Sequence, residues 1–189
     1  MISHDAVAFY LLSEEVSKHV KVVQSGQGAD EVFAGYDWYP PLADVPRSSA
    51  LEAYSAAFFD RPRSLLEEIV SRDYLVDSDV SMEFVRQHFA QPGAASALDA
   101  ALRIDSTVML VDDPVKRVDN MTMAWGLEAR VPFLDHELVE LAAMCPPELK
   151  LAQGGKGVLK EAARGLVPAE VIGQLGHQSL ERDAVQRIA

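Results

Sequence analysis

Hydrophobic residues recur at helical spacing along most of the chain, beginning near its first residues. Phe9, Leu12, Val16 and Val20 follow one another at intervals of three or four, along and just beyond the helix expected over residues 3–19. This period places them on one face of an α-helix. The same reasoning predicts further helices over residues 49–59, 63–71, 79–90, 94–111, 115–126, 135–144 and 156–164.

The pattern changes at residues 21–24, where a short run rich in β-branched residues indicates a strand. Gly26 and Gly28 end that strand, and residues 29–34 predict a short helix that Gly35 terminates. A helix, a strand, a glycine turn and a second helix in this order are typical of a parallel α/β sheet. No other segment is a convincing strand, so we expect a mostly helical chain beside the edge of a sheet.

Asp113 and Pro114 mark an expected break before the helix of residues 115–126. Aspartate is a favoured N-cap, and proline suits the first helical turn because its φ is already helical. Asp135 is expected to cap a helix in the same way. The nearby charges of Lys116 and Arg117 are interpreted as an exposed helix face, with a role in binding as the alternative.

Composition and charge narrow the classes of function. The chain has 189 residues, of which 49% are hydrophobic, enough to bury the core of one domain. Its 29 acidic and 17 basic residues give a net charge of −12, which opposes binding to nucleic acid. No long apolar run and no signal-peptide pattern occur, so we expect no membrane association and a cytoplasmic location. One cysteine and scattered histidines argue against a Cys/His metal site.

The turn from Ser25 to Gly28 is a candidate anion-binding site. Glycines let backbone N–H groups approach a phosphate, and the helix that follows favours negative charge near its start. Asp30 and Glu31 would repel that phosphate unless a divalent cation intervenes, and Mg²⁺ commonly bridges a carboxylate to phosphate oxygens. The alternative is structural, since a strand must turn into a helix somewhere and acidic residues complement the helix dipole.

A second candidate is Lys156, which follows Gly154 and Gly155 at a predicted helix start. A cation at the positive end of a helix is unfavourable, so an external negative charge could compensate it. In that case Lys156 would neutralise charge that develops on a phosphoryl or acyl oxygen. The alternative is an ordinary surface lysine in a turn.

Three segments together resemble the synthetase domain of glutamine-dependent asparagine synthetases and their amidotransferase relatives. They are SGQGADEVFAGY (25–36), VKRVDNMTMAWGLEARVPFLDHELVELA (115–142) and GKGVLKEAARGLVPAEV (155–171), in matching order and spacing. The resemblance implies an α/β fold of the adenine nucleotide α-hydrolase type, with a Rossmann-like parallel sheet. It also implies a reaction in which a carboxylate attacks the α-phosphorus of ATP, pyrophosphate leaves, and ammonia displaces AMP to form an amide.

The same resemblance implies roles for individual residues. It places Ser25, Gly26 and Gly28 against the nucleotide, and it makes Asp30 a ligand of the Mg²⁺ held by pyrophosphate. Lys156 would stabilise charge in the transition state of adenylation or amidation.

Gln27 occupies a catalytic position at which many family members carry glutamate. An amide cannot act as a general base, so acceptor chemistry that differs from aspartate amidation is expected. Glu128 and Arg130 would shape the acceptor side. The acceptor is expected to be aspartate or an acylated glutamine dipeptide. The dipeptide is the leading expectation, because residues 25–40 resemble the branch that amidates an acetylated glutamine dipeptide.

Several family features are missing from the sequence. The phosphate-gripping Ser-Gly-Gly-x-Asp-Ser loop and the amino-terminal glutamine-hydrolysing cysteine do not occur, and the tail after residue 171 lacks the family's basic and aromatic segment. We therefore expect residues 1–189 to be the C-terminal portion of one synthetase domain, inactive alone. It would pair with the missing N-terminal portion or self-associate. The alternative is a stand-alone interaction module, or a non-catalytic relative that pairs with another chain.

Overall fold

In a computed structural model of the protein, which describes residues 4–174, helices surround one short pair of strands. The expected helical character and scarcity of strands are confirmed. Residues 1–3 and the tail beyond residue 174 lie outside the described residues. The helices are α1 (His4–Ser17), α2 (Ala29–Phe33), α3 (Ala50–Phe58), α4 (Arg63–Ile69), α5 (Val80–Ala90), α6 (Ala97–Ile104), α7 (Lys116–Met123), α8 (His136–Ala143), α9 (Pro147–Leu151), α10 (Gly157–Ala162) and α11 (Ala169–Gln174).

The sheet within the described residues consists of two parallel strands, β1 (Val22–Gln24) and β2 (Glu128–Arg130). The strand β1 was expected and β2 was not. Val22 lies opposite Glu128 and Gln24 lies opposite Arg130, and the N–H of Ser25 donates to the carbonyl of Arg130 over 2.8 Å. The carboxyl ends of both strands therefore meet at one edge, beside the glycine turn.

The expected break at Asp113 and Pro114 is wrong. A helical path runs from α6 into α7 through π-helical turns at Asp105–Met109 and Val111–Val115, and Pro114 lies inside the second. Proline lacks an N–H and its ring clashes with the carbonyl four residues earlier. The wider π-helical turn changes which backbone groups face each other, which allows the proline to remain in the helix. Asp113 therefore caps nothing and instead lies 3.3 Å from Arg117.

Within residues 4–174, two hydrophobic clusters hold the helices together. The larger joins α3, α5 and α6 to the aromatic segment that follows α2. The smaller packs α2 against α8, through Val32, Phe33 and Ala142, with Phe133 at its margin. Because the Phe33 and Phe133 rings meet edge to face at 6.4 Å, the smaller cluster fixes the position of α2.

The apolar face predicted for α1 is only partly covered. Leu12 is 59% exposed and Val20 is 44% exposed, although α1 packs against α7. Val7 and Leu11 on the same helix are exposed as well, and so is Val22 of β1. This apolar surface lies beside the two-stranded sheet. None of the helices in the described range has the length and apolar character needed to cross a bilayer.

Candidate functional site

The glycine turn lies at the carboxyl end of β1, as expected. Gly28 precedes α2 with φ 92°, and a Cβ atom there would lie 2.2 Å from the side chain of Leu134. Glycine is therefore required both by the backbone conformation and by the packing. Within the described residues, the backbone N–H groups of Gly26, Gln27 and Gly28 donate no hydrogen bond. The turn thus offers three consecutive donors that the fold does not use.

The structure brings Asp30 and Lys156 together, although they lie far apart in the sequence. The Lys156 Nζ atom is 2.7 Å from Asp30 Oδ1, and the two side chains are 13% and 20% exposed respectively. This contact is an ion pair, and the buried Oδ1 atom accepts no hydrogen bond from the residues that the structure describes. Breaking a partly buried ion pair is costly unless another charge takes the place of the lost partner, so each of these two groups could turn to a ligand only where that ligand supplies the compensating charge.

Two glycines allow this close approach. A Cβ atom on Gly35 would lie 2.1 Å from Asp30 Oδ1 and 2.2 Å from Lys156 Cε. A Cβ atom on Gly155 would lie 2.5 Å from the carbonyl oxygen of Ala34. Gly35 was expected to end α2 through its backbone freedom, but the left-handed residue there is Ala34, with φ 57°. Gly35 instead provides room for the ion pair.

Left-handed backbone conformations cluster around the pair. Ala34, Gln153 and Lys156 have φ of 57°, 58° and 56°. For residues with a side chain this conformation costs about 1–2 kcal/mol each, and such strain concentrates at functional sites. The backbone N–H of Lys156 donates to the Phe33 carbonyl over 3.0 Å, which holds the lysine in place. Lys156 therefore precedes α10 as a strained cap rather than lying within the helix.

The two residues expected on the acceptor side lie on β2. Arg130 is beside the glycine turn, because the N–H of Ser25 donates to its carbonyl, whereas Glu128 lies two residues further from that edge. Their side chains pair with each other over 3.0 Å and are more than half exposed. The structure brings Arg130 to the site edge and leaves Glu128 back along the strand.

Magnesium fits Asp30 only with help from a ligand. Among the described residues, no group of three or more His, Cys, Asp or Glu side chains could hold a metal ion. Mg²⁺ is usually held by one or two carboxylates together with substrate phosphates and water. Asp30 offers a partly exposed carboxylate of this kind, but its Oδ1 atom is paired with Lys156, so a metal ion would have to displace the ammonium group or bind to Oδ2.

Two buried carboxylates behind the turn were not expected. Asp105 is fully buried and accepts hydrogen bonds from Trp38 Nε1 (3.0 Å), from Tyr39 Oη (2.6 Å) and from Tyr54 Oη. Burial raises the pKa of Asp105, and the three donors oppose that rise. The sequence signal was an aspartate on the apolar face of the predicted helix of residues 94–111.

Glu31 is the second buried carboxylate, adjacent in sequence to Asp30. It is 1% exposed and accepts a hydrogen bond from Tyr36 Oη over 2.6 Å. Burial raises its pKa, whereas the hydrogen bond from Tyr36 lowers it. No local sequence signal distinguishes Glu31 from Asp30, yet α2 turns the Glu31 carboxylate inward and leaves the Asp30 carboxylate beside Lys156.

Sequence comparisons identify the family. The profile described as Asparagine synthase matches residues 1–174, which is most of the chain. The chain belongs to the asparagine synthase family. It is 30% identical over 199 residues to the Bacillus subtilis protein named asparagine synthetase [glutamine-hydrolyzing] 1, covering 88% of this chain and 32% of that relative.

Other members of the asparagine synthase family give the same alignment pattern. A putative asparagine synthetase [glutamine-hydrolyzing] of Mycobacterium tuberculosis is 29% identical over 202 residues, covering 88% of this chain and 30% of the relative. The Saccharomyces cerevisiae asparagine synthetase [glutamine-hydrolyzing] 1 is 27% identical over 154 residues. That alignment covers 80% of this chain and 18% of the relative. The chain therefore spans about a third or less of the length of these relatives.

Proposed function

We propose that residues 1–189 are the C-terminal portion of one synthetase domain, from an ATP-dependent amidotransferase that adenylates a carboxylate and then transfers ammonia to it. The observation that carries the proposal is the Asp30–Lys156 pair at the carboxyl end of β1, in a chain of the asparagine synthase family. In open α/β sheets, ligands bind outside the carboxyl ends of the strands. The pair therefore lies where a nucleotide would be expected.

The turn and Asp30 would handle the nucleotide. The unused N–H groups of Gly26 and Gly28 would donate to phosphate oxygens, and Ser25 would contact the nucleotide beside them. Asp30 would contribute a carboxylate oxygen to Mg²⁺ that is shared with the phosphates of ATP. Bound magnesium would offset the negative charge of the departing pyrophosphate.

Lys156 would act on the charge of the reacting groups. Its ammonium group is paired with Asp30, and it would turn to the oxygens that gain negative charge during adenylation or amidation. The strained backbone and its hydrogen bond to Phe33 support this role, since they hold the lysine before any ligand binds.

Gln27 and β2 would act on the acceptor. Gln27 can orient ammonia or the acceptor by hydrogen bonds, but its amide cannot remove a proton. Arg130 at the site edge suits a carboxylate through its forked donors, with Glu128 keeping it oriented. The acceptor we propose is a small carboxylate, either aspartate or an acylated glutamine dipeptide.

We further propose that the chain is inactive alone. Exposed apolar residues on α1 and on β1 form a surface beside a sheet of only two described strands. That surface suits the remaining strands of a longer synthetase, which would supply the other wall of the nucleotide site, or a second copy of the chain. A stand-alone interaction module would use the same surface.

Pyrophosphate release separates these possibilities. With ATP, Mg²⁺, ammonia and either acceptor, the isolated chain should release no pyrophosphate above background. A chimera, in which this chain replaces the matching third of the Bacillus subtilis relative, should release it. Turnover by the isolated chain would refute its incompleteness, and a folded but inactive chimera would favour the interaction module.

Two variants of the chimera test the residue roles. Asp30→Asn should raise the Mg²⁺ concentration needed for half-maximal release more than it raises the KM of the acceptor. Lys156→Ala should lower kcat by about 100- to 1,000-fold, the range for losing one preorganised donor, with less effect on nucleotide affinity. Lys18→Ala is the matched control, because the side chain of Lys18 is exposed and, among the described residues, pairs with Glu15 alone. Equal losses in binding and turnover would contradict the assignment of Lys156.

A further inference from the structure

A second lysine is buried away from the proposed nucleotide site. Lys150, on α9, is 2% exposed. Within the described residues its ammonium group makes no hydrogen bond and no ion pair. Burial lowers its pKa, and the negative charge of Asp99 partly opposes that effect. The Lys150 Nζ atom is not among the fully buried polar atoms that lack a partner in the described residues, so the ammonium group keeps some contact with solvent while the rest of the side chain is enclosed. An enclosed cation with no hydrogen-bond partner in the described fold suits a role in binding a negatively charged group.

The lysine lies on the wall of a cavity between α2, α6, α8 and α9. The cavity has a volume of about 440 Å³, within the range of small-molecule sites. Its walls are largely apolar and include Val32, Leu102, Val139 and Ala143. A cavity with largely apolar walls and a lysine at its surface suits a ligand that has an apolar body and a negatively charged end.

Each of the other charged side chains of the cavity makes at least one hydrogen bond within the described residues, including Glu31 with Tyr36. The Arg103 guanidinium donates to the carbonyls of His88, Gln91 and Pro92 over 2.7–3.1 Å, which ties it to the end of α5. The Asp99 Oδ2 atom accepts hydrogen bonds from the backbone N–H and the hydroxyl of Ser96. Of the charged side chains on this wall, Lys150 is therefore the one whose hydrogen-bonding capacity is unused by the described residues.

We propose that this cavity binds a small organic carboxylate, with its carboxylate on Lys150 and its apolar body against Val32, Leu102 and Val139. Charge counting favours a monoanion over phosphate. Glu31 and Asp99 also line the cavity, so a doubly charged phosphate would meet two carboxylates and one available cation. A carboxylate needs only one cation and gains from the apolar walls.

The proposed site does not depend on the proposed amidotransferase activity. None of the residues assigned to nucleotide, magnesium or acceptor lines this cavity. Its ligand would bind to the chain even if the chain released no pyrophosphate in any assembly. A binding measurement on the isolated chain therefore tests this site alone.

Isothermal titration calorimetry with phenylacetate tests the site, with phenylacetamide and inorganic phosphate as comparison ligands. We expect phenylacetate to bind about 10- to 100-fold more tightly than the neutral amide, because a hydrogen bond to a charged group contributes on that order. Phosphate that binds as tightly as phenylacetate would overturn the assignment of a carboxylate. Equal binding of the amide would show that Lys150 is not the contact.

Variants and chemical shifts locate the binding. Lys150→Met keeps the side-chain length and removes the charge, so it should fold and should weaken phenylacetate about 10- to 100-fold. Lys18→Met, on an exposed lysine, is the matched control and should bind as the unchanged chain does. Independently of any variant, phenylacetate should shift the amide signals of Leu102 and Val139 in a heteronuclear correlation spectrum. Shifts confined to α1, or none, would refute the proposal.

Discussion

The hydroxyl of Tyr39 offers a direct measure of what holds Asp105 in the core. Tyr39 is fully buried and donates to Asp105 Oδ2 over 2.6 Å, so Tyr39→Phe removes one of three donors to a buried carboxylate. The ring stays, and no water can replace the hydroxyl without opening the cluster. A hydrogen bond to a charged group contributes about 1.5–3 kcal/mol, and we expect the free energy of unfolding to fall by that amount.

Urea unfolding followed by tryptophan fluorescence gives this number. Trp38 is a suitable probe because its indole donates to Asp105 and its ring stacks on Tyr36 at 4.1 Å. The free energy of unfolding should decrease with urea concentration at the same slope as in the unchanged chain, whereas the midpoint of the transition should fall. Tyr74→Phe is the matched control, since Tyr74 is 83% exposed, and it should change stability by less than about 0.5 kcal/mol. Equal effects of the two substitutions would refute the reasoning.

The loss of stability caused by Tyr39→Phe should depend on pH, and its sign follows from the pKa of Asp105. Burial raises the pKa of folded Asp105 above the ordinary 3.8, so the folded state holds its proton more tightly than the unfolded state. This contribution to stability is present below the unfolded pKa and is lost as pH rises through the folded pKa. Removal of Tyr39's hydroxyl raises the folded pKa further. The loss of stability in Tyr39→Phe should therefore be smaller in acid than at neutral pH, and a constant loss would contradict the assignment.

Two further predictions concern the backbone. Gly155→Ala should destabilise the chain more than Gly154→Ala by about 1–3 kcal/mol, because only the former places a Cβ atom against the Ala34 carbonyl, although both glycines have positive φ. Similar urea midpoints for the two variants would show that packing there is unimportant. Ser96→Ala should cost about 0.5–2 kcal/mol in thermal unfolding, since the hydroxyl caps α6, whereas Ser49→Ala before α3 removes no cap bond and should be neutral. Equal changes in the thermal unfolding midpoint of Ser96→Ala and Ser49→Ala would contradict the capping role of Ser96.

The sequence pattern was sufficient to predict elements that depend on residues close to one another in the chain. The cap of α8 is an example, because Asp135 Oδ1 accepts from the N–H groups of Glu137 and Leu138 as an N-cap should. The position of β1 and the turn after it followed from a β-branched run and two glycines. Each of these depends on neighbours within a few residues.

Elements that depend on distant contacts were missed. The strand β2 reads Glu-Ala-Arg, which has no strand signal, and it forms because it pairs with β1. Pro114 was interpreted as a helix start, although π-helical turns carry it within a helix. Nothing in the sequence pattern pairs Asp30 with Lys156, and the unpaired state of Lys150 depends on what surrounds it in space.

The hydrogen bond from the Lys156 backbone to the Phe33 carbonyl links the charged group of the proposed site to the smaller hydrophobic cluster. Any change that slides Phe33 against Phe133 would also move the point from which the lysine side chain extends. The reach of the ammonium group could therefore be adjusted by repacking aromatic rings, leaving every charged residue unaltered. An effort to change the chemistry should therefore begin with the packing of Phe33 and Phe133 rather than with the polar residues of the site.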